Sequence, residues 1–533
     1  MSRLSCLILF TAVSLAMPPL PGMYDPMTHR SVTTDDPAPV FPEWFGKPGP
    51  NRLAGYDYCE TVTILMQFPD NRADTLKRSP ARFDSMLYST GVYNGQAYRQ
   101  GSLNDFFLEN SYGAYDVRGG IAGNRWFLSS YNYSRYYDGN YMLSTGYTLA
   151  RENVQQVDPY VDFSQFDLNQ DGHIDALFMV HAGADGADNG SVNSCWSHAI
   201  PGFNYTTNDG VVIDGVTNVP EFAMVTPARE TTMCCIAVMC HELGHLVGLP
   251  DLYDGSRNDW GPGYWSLMSY GAWGAGGNTP WSPSHMDAWC KDEAGFVTPI
   301  VLTRDTFALK ILPVETHPQV FKAWRNGVNS DTCFYLENRE QKGFDSPIPG
   351  PGLAIWHFDR GAGSWWNRVD LEEDSTYHLD SGFGYRPDPH VYHQEMGDTS
   401  DVLPGNWNRT AFDNTTKPNS KARNGSATNV AVRDIRQVGD TIICNVTFGL
   451  TDVAEPRPAP AVRVTSVVPN PALDWAEVSL SFPTEIRLYD AAGTLLGTVG
   501  TSGTTTRLNL TGLNPGVYLV KAGNSSRKFV KTR

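Results

Sequence analysis

Apolar residues follow three rhythms along this chain, and each predicts a different kind of element. Residues 60–68 (ETVTILMQF) and 176–181 (ALFMVH) are short apolar or β-branched runs with polar flanks, as in strands buried on both faces. Between them two helices are predicted. Ser79 caps one that opens on Pro80 and runs to about Leu87, and Ser102 caps another that runs to Glu109. Residues 231–239 (TTMCCIAVM) contain no Pro or Gly and are mostly apolar, which predicts a buried helix capped by Thr231 or Thr232. Strands first and a buried helix in the middle make an α/β upper half with a less regular lower half.

From residue 298 to 450 the rhythm shortens to alternation. Residues 307–312, 332–336, 353–358 and 441–448 read as strands separated by turn residues, the pattern of an antiparallel β-sandwich-like domain. Residues 451–462 lose all periodicity, and Pro456, Pro458 and Pro460 stiffen them into a linker. Strands and turns then resume over 463–533, at 476–482, 485–489, 507–510 and 517–521, predicting a small C-terminal β-sandwich.

The N-terminal residues belong to none of these. Residues 1–16 place Arg3 before an apolar run that ends in small residues, which reads as a signal peptide cleaved near Ala16. A membrane anchor is the alternative, but that run is too short to span and no other stretch is long enough. Cys6 sits early in the run and not after a small-residue lipobox, which argues against lipidation. Residues 17–54 are Pro-rich. They read as a linker or as a pro-segment laid across a cleft, in which Asp25, Asp35 or Asp36 would serve as a latent-state ligand because no Cys is present. A first folded domain is expected over 55–297.

Composition narrows the class. The net charge of −17 argues against nucleic acid or an anionic membrane as partner. Charged residues make up only 18 % beside 50 Gly and 36 Pro, which suits a loop-rich exported protein. Of the 9 Cys, all but Cys6 outlast the leader, so disulfides assist the fold without defining it. Cys333 and Cys444 are placed to staple the second domain, whereas Cys234, Cys235 and Cys240 read equally well as buried thiols.

The chemistry concentrates in residues 240–254, C-H-E-L-G-H-L-V-G-L-P-D-L-Y-D. His241 and His245 lie roughly 40° apart around a helix, so both imidazoles reach one cation. Glu242 sits beside the first, where it can take a proton from the attacking water. Gly248 can adopt positive φ and stop the helix, which puts Asp251 on the outgoing loop as third ligand. This layout is H-E-x-x-H-x-x-G-x-x-D, the extended metzincin-type pattern with Asp in the third place. Residues 264–271 (YWSLMSYG) read as a Met-turn with Met268 beneath the metal. Tyr270 is a candidate donor to the oxyanion, with ordinary aromatic packing as the alternative. A third ligand supplied by a Glu on a later helix is the rival geometry.

Residues 167–175 (DLNQDGHID) carry a second pattern. Asp167, Asn169, Asp171 and Asp175 stand at positions 1, 3, 5 and 9 of a calcium loop, with Gly172 at 6 and the carbonyl of His173 at 7. Phe178 occupies position 12, so this is not a full EF-hand; a surface turn is the alternative. Asp370, Glu372, Glu373 and Asp374 read as a solvated acidic loop rather than a second cation site, and His181 and His198 as structural histidines.

Taken together, H-E-L-G-H-L-V-G-L-P-D-L-Y-D and W-S-L-M-S resemble the secreted immune inhibitor A-type zinc metallopeptidases. The likeness extends over roughly residues 55–450 and includes 102–113 (SLNDFFLENSYG), 167–183, 196–198, 352–359 (GLAIWHFD) and 369–373 (VDLEE). It implies a zinc endopeptidase acting on protein or peptide substrates, usually with bound calcium and a β-rich domain after the catalytic one. Carried over by position, His241, His245 and Asp251 hold Zn2+ and Glu242 is the base. The motifs P-N-P-A (469–472), I-R-L-Y-D-A-A-G (486–493), L-N-P-G-V-Y-L-V (513–520) and the basic end R-K-F-V-K-T-R resemble the C-terminal sorting module of type IX secretion cargo. That implies passage across an outer membrane to the cell surface or beyond through the secretion machinery; an accessory β-sandwich that binds a surface or a sugar is the alternative. A monomer with no membrane span is expected. The contrasting reading of the whole chain is an adhesion or matrix-binding β protein with a vestigial zinc site, against which the intact His241, Glu242, His245 and Asp251 speak.

Overall fold

A computed structural model of the chain describes residues 15–16, 58–93, 101–186, 191–222, 233–253, 261–274, 279–363, 368–373, 396–449, 464–481, 484–491, 493–501, 503–522 and 525–533. Most of the expected leader and all of the Pro-rich segment lie outside these residues. The chain divides into two compact units, Met1–Gly449 and Leu450–Arg533.

The first unit is built on a seven-stranded sheet. Its strands are β1 (Leu15–Ala16), β2 (Tyr58–Gln67), β3 (Asp116–Leu128), β4 (His173–Ile174), β5 (Ala176–Ala184), β6 (His198–Thr206) and β7 (Val212–Phe222). They run in the order β1-β6-β7-β5-β2-β3, with β4 also on β7. The β3-β2-β5-β7 stretch is parallel, and β6 turns antiparallel at its edge. The apolar residues of the central strands divide by parity, as a pleat requires. In β5, Ala176, Phe178 and Val180 enter one core while Leu177 and Met179 enter the other. Covering both faces explains why these strands read as unbroken apolar runs.

Helices α1 (Pro80–Tyr88), α2 (Leu103–Asn110) and α4 (Ile236–Leu246) pack on the first face, and α3 (Gly146–Val157) on the second. The predicted starts of α1 and α2 hold. Ser102 forms a reciprocal capping box with Asp105, whereas Ser79 stands at its N-cap position without a side-chain bond. The start of α4 differs. Thr231 and Thr232 lie outside the described residues, and Cys235 is the N-cap. Tertiary bonds replace a side-chain cap there: Cys234 N–H donates to the Glu221 carbonyl (2.8 Å) and Ala237 N–H to the Pro280 carbonyl (3.2 Å).

The second β region forms two facing sheets. One has the order Val369–Leu371, Gly352–Asp359, Thr332–Arg339, Phe321–Trp324, Ile300–Leu302, and the other Ala411–Phe412, Val430–Val438, Thr441–Phe448, Thr306–Ile311. Phe334, Leu336, Leu353 and Ile355 meet Phe412, Val432, Ile442 and Val446 between them. The five-stranded sheet does not end there. Its opposite face, with Tyr335, Ala354, Trp356 and Phe358, joins the core that holds Val238, Met239 and Leu243 of α4. Every residue of Thr332–Arg339 is therefore buried.

That double burial corrects the expected staple. Cys333 points into the core shared with α4 and Cys444 into the core between the sheets, so they face opposite sides of one sheet and both are free thiols. Cys234 and Cys240 are free as well.

In the second unit, a sheet of Val464–Val468, Trp475–Leu480 and Thr505–Asn509 faces one of Leu495–Val499, Ile486–Asp490, Gly516–Ala522 and Ser525–Lys531. Val478, Leu508, Val520 and Phe529 fill the core between them. Among the described residues, no helix is long and apolar enough to cross a membrane.

Candidate metal centre

The chain from α4 onward brings three separated candidate ligands to one point. Every residue from Ile236 to His245 is buried, so α4 is held from all sides and its register is fixed. After His245 the helix stops where Gly248 takes φ +98°. Leu249 N–H folds back to the Gly244 carbonyl (3.0 Å) and Gly248 N–H to that of His245 (3.0 Å). Asp251 is thereby turned toward the helix it has just left.

His241 Nδ1 donates to the Leu267 carbonyl (2.8 Å) and His245 Nδ1 to the Leu249 carbonyl (2.9 Å). A carbonyl only accepts, so these bonds set the tautomer and leave a bare lone pair on each Nε2. Both Nε2 atoms face Asp251 Oδ1, at 3.2 Å from His241 and 3.3 Å from His245. Burial holds His241 below its ordinary pKa and so favours the neutral ring. Burial alone would raise Asp251, but its contacts with His245 and His241 outweigh that and hold it below the ordinary carboxylate value. Two imidazole nitrogens and one carboxylate oxygen thus converge in a buried pocket. That donor set fits a divalent cation. Among the described residues, no second group of three His, Cys, Asp or Glu ligand atoms comes within 4.8 Å of one another.

Glu242 is fully buried, with its carboxylate in electrostatic reach of Tyr253. Met268 lies against α4: its sulfur is 2.5 Å from where a Cβ on Gly244 would stand, so any larger residue there would push Met268 aside. The Met268 carbonyl accepts from Leu252 N–H (2.9 Å), which anchors the chain next to Asp251. Tyr270 is buried and packs edge-on against Tyr253, with ring centroids 5.7 Å apart. Tyr253 is the residue that sequence reading missed. Its hydroxyl donates to Asp251, and burial followed by that carboxylate drives its pKa well up. Nothing in the zinc signature marks a tyrosine two places after the third ligand.

The loop at residues 167–175 is arranged differently. Asp167 accepts from the N–H groups of Asp171 and Gly172 (both 3.0 Å), Asn169 from Asp171 N–H (2.9 Å), and Asp171 from His173 N–H (2.9 Å). Asp175 accepts from Glu60 N–H (2.8 Å), tying the loop to β2. His173 opens β4, and its ring lies 3.1 Å from Asp214. The carboxylate of Glu60, read only as a strand residue, accepts from the backbone of Leu168 and Asn169. Burial, reinforced by Asp175 and Asp167, pushes Glu60 up to about 7, and burial takes Asp175 to about 6.

His181 and His198 are buried and take no part in the metal pocket. His181 packs edge-on against Phe68 and tilted against Tyr133, and His198 bonds the Trp196 carbonyl and Asn218. The second-domain acids are not a solvated loop. Asp370 pairs with Arg423 (3.1 Å), Glu372 with His357 (2.8 Å), and Glu373 is buried, while Asp374 lies outside the described residues.

Comparison with known proteins adds to this geometry. Residues 61–296 match the immune inhibitor A peptidase M6 catalytic domain, and residues 466–532 a secretion system C-terminal sorting domain. The pre-pro-metalloprotease PrtV of Vibrio cholerae serotype O1 (strain M66-2) is 29 % identical over 349 residues, covering 57 % of this chain and 36 % of its own. Immune inhibitor A of Bacillus thuringiensis subsp. alesti is 24 % identical over 286 residues, covering 44 % and 40 %. The chain thus spans well under half the length of these curated relatives. A solved structure of PorZ, from the type-IX secretion system of Porphyromonas gingivalis, aligns at 14 % identity over 41 % of this chain and 31 % of its own. Its TM-score of 0.14 carries no argument.

Proposed function

From a chain that carries an immune inhibitor A peptidase M6 catalytic domain and a secretion-system sorting domain, we propose an exported zinc endopeptidase of metzincin-like fold that cleaves extracellular proteins. The observation that carries this reading is the convergence of three buried acceptors, His241 Nε2, His245 Nε2 and Asp251 Oδ1, with Glu242 on the same helix turn. These three atoms would hold the ion. Zinc, when bound, supplies a Lewis acid that polarises the scissile carbonyl and lowers the pKa of the attacking water. Glu242 takes the proton of that water on its carboxylate and returns it to the leaving amine. Tyr253 holds Asp251 in orientation through its hydroxyl, and Tyr270 is the donor proposed for the developing oxyanion. Burial around α4 keeps bulk water from competing.

The test is a casein or gelatin zymogram with and without a zinc chelator. Clearing that is lost on chelation and restored by zinc supports the reading; clearing that persists in fully stripped protein overturns it.

Two parts of the proposal lie outside the metal pocket. Asp167, Asn169, Asp171, the His173 carbonyl and Asp175 are proposed to bind a structural Ca2+, supported by the ligand ladder and by the raised Glu60 and Asp175 beside it. The C-terminal module is proposed to direct a monomeric protein to the cell surface or the medium, for which the sorting-domain match is the support. Deleting residues 463–533 should strand the enzyme in the periplasm, and undiminished export would exclude that role.

A further inference from the structure

Beneath the Met-turn lies a set of buried charges that the reaction does not use. His285 is its hub, and all four polar groups of that residue are engaged. Its carbonyl accepts from Leu267 N–H (3.1 Å) and its own N–H donates to Asp345 Oδ1 (2.8 Å). Its ring donates from Nε2 to Glu109 of α2 (2.7 Å) and accepts at Nδ1 from Lys291 (3.0 Å). Asp345 in turn receives both Nε and Nη2 of Arg339 at 2.8 Å. A further nitrogen of the same guanidinium, Nη1, donates to the Trp265 carbonyl (2.9 Å).

These bonds close on the metal ligand. Leu267 accepts from His241 Nδ1 at its carbonyl and donates its N–H to the His285 carbonyl, while Arg339 Nη1 donates to the carbonyl of Trp265, two residues upstream. His285, Arg339 and Asp345 are all wholly buried. Burying an Arg–Asp pair is costly, and well-packed apolar residues would commonly stabilise such a place as well or better. What apolar residues cannot supply is direction. A guanidinium fork fixes two partners in one plane and a third at a set distance. The outer partner of a metal-bound imidazole sets the ring's orientation, and here that partner is the Leu267 carbonyl.

We infer that Arg339 and Asp345 of the second domain are positioning residues for the metal centre, acting on His241 through His285 and the Met-turn. The β region is then a working part of the pocket. This rests on the metallopeptidase reading above.

The experiment measures zinc affinity by competition with a metal buffer, together with kcat and KM, on the full chain. Arg339→Lys keeps the charge and loses the fork, and Asp345→Asn keeps the shape. Each should weaken zinc binding by about tenfold or more and lower kcat with KM little changed. Glu109→Gln, at the rim of the cluster, should show a smaller loss of the same kind and serves if the buried variants do not fold. Val432→Ala, in the core on the far side of the five-stranded sheet, is the stability control. It should lower Tm without moving zinc affinity. Folded Arg339→Lys or Asp345→Asn that binds zinc as tightly as the parent overturns the inference, as does Glu109→Gln unchanged where only it folds. So does a control that weakens zinc equally. A parent chain that binds no zinc overturns the metallopeptidase reading itself, and the inference with it.

Discussion

The pocket at the end of α4 and the loop at residues 167–175 differ in what their lone pairs are already doing. In the pocket, each imidazole spends Nδ1 on a carbonyl and turns Nε2 inward, where it meets only other acceptors. In the loop, Asp167, Asn169, Asp171 and Asp175 already accept from backbone N–H groups. The first arrangement is electrostatically incomplete without a cation. The second supports itself and would gain from a cation only what exceeds those bonds. Ligand-type residues at the right spacing therefore mean more when the fold denies them other partners.

The contrast can be broken most sharply at the base. Glu242→Gln should cut peptide hydrolysis by about 10²- to 10⁴-fold while elemental analysis still finds zinc bound. Asp171→Asn, in the loop, should leave kcat unchanged. Full activity in Glu242→Gln would remove the assigned base, and loss of activity in Asp171→Asn would make the loop part of the chemistry.

Glycines give the next effect. Gly244→Ala puts a methyl against the Met268 sulfur and should cost about 1–3 kcal/mol through overpacking, read as a lower denaturation midpoint with weaker zinc binding. Gly172→Ala meets no atom within 4 Å, and only its φ of +87° is strained. Its cost should be about 1 kcal/mol, with zinc binding untouched. Equal effects on zinc would erase the distinction.

The smallest effect is the most specific to the loop. Glu60 at about 7 and Asp175 at about 6 stand above their unfolded values. The folded loop therefore holds protons that the unfolded chain has released. This contribution is present below about pH 4 and is lost as pH rises through 6 and 7. Calcium would replace those protons, so its stabilisation should be larger at pH 8 than at pH 5. Differential scanning of zinc-loaded protein with and without calcium measures it, and an equal or reversed pH trend would detach Glu60 and Asp175 from the calcium site.

How much of this was legible depended on how local each feature is. The histidines could be read because helix periodicity alone sets their angle, and the break at Gly248 because positive φ favours that residue. The start of α4 could not, since the N–H groups of Cys234 before it and Ala237 within it are satisfied by Glu221 and Pro280, outside the local sequence. β3 escaped notice because its three glycines dilute the apolar pattern. The Cys333–Cys444 staple looked reasonable while the second domain was pictured as one sandwich, and failed because its five-stranded sheet has a second buried face. Tyr253, Glu60 and the His285 cluster are products of tertiary pairing, which no spacing rule reports.

The five-stranded sheet with both faces covered also bears on when activity can arise. As the polypeptide emerges from the ribosome, the last ligand appears well before Arg339 and Asp345. Until those residues and the strands around them have folded back, α4 has an apolar side open to water and the Met-turn lacks its brace. The pocket at the end of α4 is therefore complete only once the chain through Asp345 has been made and has folded back against it.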